Sequence, residues 1–332
     1  MKRSKSFSSL VQQFFTEYLL NQRQVSTHTI ASYRDGFSQL LRYAQEHYHR
    51  PASSIELEDL NAQFITSFLT HLEQDRGVCV RSRNQRLAAI HSFYHYIALY
   101  VPEHIELIRK VLAIPSKRYH RKVITYLDHE EVECLLQMPD RSTWIGRRDH
   151  TLLMLLVQTG LRVSEATSLS CRDLILTPAP HIRCTGKGRK DRCTPLMKQM
   201  VVILKRWITE NEVKQTDHLF PSVNAGPMSA DAVQYLVRKY AALATKRCPS
   251  LIGKHISPHV LRHTAAMELL QAGIDNSMIA LWLGHESVET TQMYLEADLT
   301  MKEKLLGKLA PVKNNSGRFV PDDKLMGFLR TI

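Results

Sequence analysis

The sequence predicts a mainly α protein: a helical four-helix unit, followed by a mixed, mostly α domain holding one small β-hairpin. Three observations carry this. Apolar residues recur at helical spacing four times in the first hundred positions. A basic, proline-marked run then interrupts the periodicity. Beyond it the helical pattern resumes, broken by two short extended stretches around TGKGRKDR.

The elements follow in order. Leu10, Val11, Phe14, Phe15, Tyr18 and Leu19 make the first stripe, and Ile30, Tyr33, Phe37, Leu40 and Leu41 the second, after a cap at Ser26. Phe64, Ile65, Phe68, Leu69 and Leu72 form the third; Leu87, Ile90, Phe93, Tyr94 and Ile97 form the fourth, with Gly77 and Pro102 marking loops. Such aromatic-rich faces must bury against one another, which predicts a compact bundle. The fourth helix opens with Arg81, Arg83 and Arg86. Either this is a solvated helix start, or it awaits an anion; cations there oppose the helix dipole, which favours an external phosphate.

From Leu107 to Leu127 there is no acidic residue, while Arg109, Lys110, Lys117, Arg118, Arg121 and Lys122 gather around Pro115. That composition predicts a linker lying along DNA backbone. Asp128 and Glu131 have capping-box spacing and open the second domain. An apolar helix from Arg148 to Gln158 stops at Gly160. Strands at His181–Gly186 and Cys193–Leu196 flank the turn Lys187 to Arg192. Helices are expected at Lys198–Asn211, from a Ser229 cap to Ala244, from a Ser257 cap through Pro258 to Gly273, at Ser277–Leu283 and at Val288–Glu296. The expected division is residues 1–110 for the helical domain, 111–125 for the linker, 126–312 for the second domain and 313–332 for a tail ending in the apolar cluster Leu325, Met326, Phe328 and Leu329.

Composition narrows the function. Lysines and arginines number 44 against 32 acidic residues, a net charge of +12 and a pI near 9.4. Such an excess favours a polyanionic partner through counterion release. The six cysteines are scattered without a CxxC pair, which reads as reduced thiols and excludes a zinc module or disulfide framework. The basic start MKRSKSFSSL leads into no apolar h-region. The most apolar stretch, Thr151 to Leu156, is far shorter than the roughly 20 residues of a membrane span. The expectation is a cytoplasmic protein at the bacterial nucleoid, with no membrane partner.

The chemistry gathers in four strings: TGLRVSEA, TGKGRKDR, SPHVLRHTAA and LGHESVETTQMY. They hold Arg162, Lys187, His259, Arg262, His285 and Tyr294. His259 and Arg262 lie three apart on one helix face, in first turns where free amides favour an anion. His259 and His263 are four apart, as in a zinc helix, but Val260 stands where HExxH needs its glutamate. Arg162 is either an ion-pair partner of Glu165 or a phosphate ligand that Glu165 orients; guanidinium forks bind phosphate in bidentate fashion and stay charged. Lys187 at a hairpin tip is either solvated or a proton donor to a leaving oxygen. GKG is no P-loop, since GxxxxGK spacing is missing. Tyr294 is either a core tyrosine or a nucleophile. A free phenol is about one part in a thousand ionised at pH 7, so it needs a neighbouring base and a positive field.

Together these strings resemble the tyrosine recombinases, the phage-integrase and Xer-type family, across about Tyr126 to Ala297; STHTIASYRDGF extends the likeness into the first domain. The resemblance implies a SAM-like core-binding domain and a catalytic domain that close as a C-shaped clamp on double-stranded DNA. Tyr294 would attack the scissile phosphate and form a 3′-phosphotyrosyl link. Arg162, Arg262 and His285 would hold the phosphate, His259 would act as the base and Lys187 would protonate the 5′ oxygen. No ATP, metal or other cofactor is implied. Four protomers would form a synapse, with the tail docking on a neighbour, and a second recombinase is a conceivable partner. The string from HTAAMELLQ to LEADL leans toward integrases of mobile elements, and so toward DNA integration or transposition. Two other readings stay open at this level: a type IB topoisomerase-like enzyme, and a non-catalytic DNA-binding or architectural protein.

Overall fold

The computed structural model describes residues 6–119, 123–185, 191–211 and 217–284. The chain divides into two compact units, Met1–Lys122 and Val123–Ile332.

The first unit is all helix. Helix α1 (Phe7–Gln13) starts at Ser6, whose side chain accepts from Ser9 N, and runs on through Phe14–Gln22 with wider, π-type winding. Helix α2 (Thr27–Tyr48) has the expected Ser26 cap; α3 (Ala62–Gln74) is capped by Asn61, and α4 spans Val80–Ile97. All four apolar stripes meet in one core. Phe14 is fully buried, with the rings of Phe15, Tyr18, Tyr33, Phe37, Phe93 and Tyr96 around it.

Two features differ from expectation. A fifth helix, α5 (Ile105–Leu112), occupies the start of the basic run, and its Ile108 and Val111 are fully buried in the same core. Ile114 belongs to that core too, so the linker expected from residue 111 begins inside the first unit. The acid-free composition drew attention to charge, whereas the spacing of Leu107, Ile108, Val111 and Leu112 decides the structure. The second difference is Arg83, which is only 4% exposed. Its guanidinium donates to Asn84 Oδ1 (3.1 Å) and to the Pro115 carbonyl (3.3 Å). Asn84 adds bonds to both the carbonyl (2.8 Å) and the N–H (3.1 Å) of Lys117. Arg83 therefore binds protein through Nη1, while its buried Nε has no hydrogen-bond partner among the described residues.

The second unit is built on α7 (Trp144–Thr159), preceded by α6 (His129–Leu136). Asp128 and Glu131 form the expected capping box on α6, and Thr143 caps α7. Short helix α8 (Val163–Ser168) leads into a three-stranded antiparallel sheet ordered β1 (Leu174–Ile175), β2 (His181–Thr185), β3 (Asp191–Pro195). Register pairs Cys184 with Arg192 and Ile182 with Thr194. Helices α9 (Lys198–Glu210), α10 (Ala230–Ala244), α11 (Pro258–Gln271) and α12 (Asn276–Leu283) complete the described part. Leu152, Leu153 and Leu155 of α7 lie in the core with Trp207 of α9 and Val233 and Val237 of α10. The core also encloses a polar triad: Arg148 pairs with Asp149 (2.7 Å), which accepts from the Tyr240 hydroxyl (2.9 Å). None of the six cysteines is in a disulfide. No helix among the described residues is long and apolar enough to cross a membrane.

Candidate active site

The ends of α7 and α12 meet the start of α8 and the middle of α11. Gly160 ends α7 in the left-handed conformation (φ +62°), and a Cβ there would stand 2.6 Å from Leu283 Cδ2. Glycine thus serves both the turn and the close approach. Trp282 Nε1 donates to the Thr159 carbonyl (3.1 Å) and ties α12 to the same corner.

Arg162 occupies the extended position before α8. Its N–H donates to Glu165 Oε2 (2.7 Å), its Nη1 to Glu165 Oε1 (2.9 Å) and its Nη2 to the Gly284 carbonyl (2.8 Å). Arg262 rises from the second turn of α11 and is 3% exposed. Its Nη1 donates to the Gly160 carbonyl and its Nη2 to the Leu283 carbonyl, both at 2.6 Å. The two arginines therefore grip consecutive carbonyls at the C-terminus of α12, where cations are favoured by the helix dipole. The Arg162 fork, whose side chain keeps 29% exposure, can take an oxygen of a phosphate, with the buried Arg262 beside it.

Glu165 is almost fully buried and takes more than the expected bond from Arg162. Arg192 of β3 grips it in bidentate fashion, Nη1 to Oε1 and Nη2 to Oε2, both 2.8 Å. Burial pushes the carboxyl pKa up, but the bonds from Arg192 and from Arg162 outweigh that and leave it below its ordinary value. Arg192 was missed by sequence reasoning, which counted it in the hairpin turn. The usable signal was strand alternation: Arg192, Thr194 and Leu196 share the inward face, and an inward arginine demands a buried partner.

On α11, Ser257 caps the helix and Pro258 takes its first position, as expected. His259 is exposed. Beneath it lies His263, weighed in the sequence only as half of a zinc pair, whose ring centroid is 4.4 Å from that of His259 at 67°. Burial first, then His259 and Arg262, push the His263 pKa down to about 4. Thr264 Oγ1 accepts from Leu127 N (2.9 Å), fixing the entry into the unit against α11. Glu131 of the capping box, fully buried, also receives Lys254 Nζ (2.6 and 2.7 Å) and Ser250 Oγ (2.7 Å) from the loop before α11.

The structure thus brings together Arg162, Glu165, Arg262 and, on the same helix, His259. Lys187, His285 and Tyr294 lie outside the described residues, as do Arg121 and Lys122. In the first unit Arg81 is exposed, Arg86 is half-buried with Nε donating to Gln39 Oε1 (3.3 Å), and Lys117 pairs with Glu73. Arg118 is exposed.

The described part of the second unit thus gathers Arg162, Arg192 and Arg262 at the ends of α7 and α12, with His259 on the same helix as Arg262. The chain belongs to the phage integrase family of tyrosine recombinases: residues 125–300 match the Phage integrase family and residues 11–99 match the Phage integrase, N-terminal SAM-like domain. A Sinorhizobium fredii protein named as an integrase/recombinase, y4rC, is 50% identical over 332 residues, the whole of both chains. Tyrosine recombinase XerD of Pseudomonas putida is 30% identical over 285 residues, 84% of this chain and 90% of that one. Among solved structures, XerH recombinase bound to its palindromic difH substrate superposes with TM-score 0.66 at 22% identity, covering 84% of this chain and 79% of that one. The Tn1549 transposon integrase in complex with a circular-intermediate DNA gives TM-score 0.65 at 16% identity, covering 90% and 99%. The mainly helical fold is thereby shared with tyrosine recombinases, and the protein is a DNA-binding site-specific recombinase.

Proposed function

We propose that the protein joins and separates DNA for a mobile element, through a covalent 3′-phosphotyrosyl intermediate on Tyr294. The observation that carries the reading is the pair of arginines, Arg162 and Arg262, converging on the consecutive carbonyls of Leu283 and Gly284, next in sequence to His285. A phosphate seated against both forks would have its developing negative charge met by preorganised donors. His259 accepts the phenolic proton as Tyr294 attacks phosphorus; the 3′ phosphate becomes bonded to the phenol oxygen and the 5′ oxygen leaves with a proton from Lys187. His285 donates a hydrogen bond to the phosphate. Attack by a 5′ hydroxyl of a partner duplex reverses the step and returns the proton to the tyrosine, so the phosphodiester energy is kept and no nucleotide is consumed.

Arg81, Arg86, Lys117, Arg118, Arg121 and Lys122 contact DNA phosphates in this reading. It is supported at α4 by an N-terminus with no capping side chain and no acidic residue in its first turn. Arg83 supports that surface from beneath, through Pro115. Residues 126–312 act as the catalytic domain in a synapse of four protomers, and the tail, 313–332, docks on a neighbour through Leu325, Met326, Phe328 and Leu329. The mobile-element role is supported by likeness to an integrase/recombinase along the whole chain.

The test is covalent trapping on a nicked duplex that lets the cleaved end diffuse away. Wild type should accumulate a protein–DNA adduct, and Tyr294→Phe should form none while binding DNA unchanged. An adduct persisting in Tyr294→Phe would remove Tyr294 from the nucleophile's place. Products with exchanged flanks separate recombination from simple relaxation of the duplex.

A further inference from the structure

We infer that Arg192 is a positioning residue for the strand-breaking step: it cancels the charge of Glu165 so that Arg162 presents an undiminished positive charge to the scissile phosphate. The inference rests on the reading of Arg162 as a phosphate ligand.

Glu165 is buried, with its side chain 3% exposed, and both of its oxygens accept from guanidinium groups. Had Arg162 been its sole partner, one carboxylate and one guanidinium would cancel, and an anion arriving at the exposed edge of Arg162 would meet a dipole. Arg192 adds a second guanidinium on the side away from solvent, 10% exposed, and leaves the cluster with one net positive charge. In a poorly solvated site such a charge is weakly screened and acts strongly on a phosphate gaining charge in the transition state.

Arg192 is also placed to hold the arrangement. A Cβ on Gly284 would stand 2.6 Å from Arg192 Nη1, so the arginine packs directly against the residue whose carbonyl receives Arg162. It stands on β3, opposite Cys184 of β2, so the same side chain fixes the described strands of the Lys187 hairpin against Glu165. Glu165 alone could orient Arg162; Arg192 lets it do so without quenching it.

Single-turnover cleavage of a nicked duplex, built on the DNA fragment that wild type traps covalently, tests this. Arg192→Met should slow adduct formation by about 10- to 100-fold, the span set by removing a charge-assisted partner from a buried group, with duplex affinity unchanged. Arg192→Lys, which keeps the charge, should retain most of the rate. In the double variant Glu165→Gln with Arg192→Met the cluster again carries one net positive charge, as in wild type, so its rate should recover well above that of Arg192→Met. Arg192→Lys as slow as Arg192→Met, or losses that multiply in the double variant, would overturn the inference. Should Arg192→Met fail to fold, the double variant, which leaves no buried carboxylate unpaired, is compared with wild type: a rate within about tenfold sustains the inference, and a larger loss overturns it. An absence of adduct from wild type would defeat the proposed function and this inference with it; full rates in every Arg192 variant would defeat this inference only.

Discussion

His263 makes the stability of the second unit depend on pH in a way that can be calculated and then isolated. Its imidazole is 8% exposed, lies against His259 and follows Arg262 in the chain. Burial, His259 and Arg262, in that order, bring its pKa from 6.5 to about 4. The folded protein therefore keeps the ring neutral where the unfolded chain would already bind a proton. The sign follows from linkage: above pH 6.5 both states are neutral and His263 is without effect; as pH falls from 6.5 toward 4 the unfolded state gains a proton that the folded state does not, and stability is lost. At pH 5 the difference comes to about 2 kcal/mol, taking 1.36 kcal/mol per pKa unit. For a domain of 150–250 residues that is a fall in Tm of roughly 4–8 °C.

Other groups titrate in the same range, so the quantity to measure is a difference between proteins. Melting of wild type and His263→Gln would be followed by circular dichroism at pH 7.5 and pH 5. The Tm of wild type relative to the variant should drop by the stated amount between the two pH values. A relative Tm that stays constant, or an imidazole NMR titration placing His263 near 6.5, would refute the burial argument.

Two further outcomes follow from the corner where α7, α11 and α12 meet. Gly160→Ala puts a side chain at φ +62° and a Cβ 2.6 Å from Leu283 Cδ2; the backbone strain and the overpacking together should cost about 2–4 kcal/mol, read as a shift of the urea midpoint with unchanged slope. A midpoint equal to that of wild type would mean that the corner yields freely. Arg262→Lys keeps a charge but replaces the planar fork that now holds two carbonyls at 2.6 Å with a single ammonium nitrogen. Adduct formation should fall by about 100-fold or more, and a rate within about tenfold of wild type would contradict the need for a fork.

What the sequence disclosed is what local chemistry determines. The Ser26, Ser229 and Ser257 caps, the Asp128–Glu131 box and the Gly160 stop all stand where spacing put them. Each is an interaction within one turn of chain, so a single window contains both partners. The described part of the candidate site is local in the same way: Arg162 with Glu165, and His259 with Arg262, are neighbours three apart. Arg192 with Glu165, Lys254 with Glu131 and Tyr240 with Asp149 join residues far apart in the chain. Nothing in a window announces such a pair, although a charge on an inward strand position, as at Arg192, announces that a partner must exist. Arg83 failed for the converse reason. Its place in a basic helix start suggested an external anion, and the carbonyl that satisfies it arrives from Pro115, after another helix.

The same bonds explain why the site is built from helix ends. An arginine can be held rigid by carboxylates, but each carboxylate removes the positive charge that makes the arginine useful to a phosphate. Backbone carbonyls at helix C-termini lack an intrahelical donor, and those at the ends of α7 and α12 accept guanidinium N–H groups while contributing only partial charge. Arg262 has Gly160 O and Leu283 O in this role, and Arg162 has Gly284 O. Orientation is thus obtained with little loss of field. Arg162 leans on a carboxylate as well, and there a second arginine shares the burden. The number of guanidinium groups around Glu165 is in this sense a consequence of the chemistry: a site that must both fix and preserve a positive charge needs neutral acceptors wherever it can find them, and a compensating cation wherever it cannot.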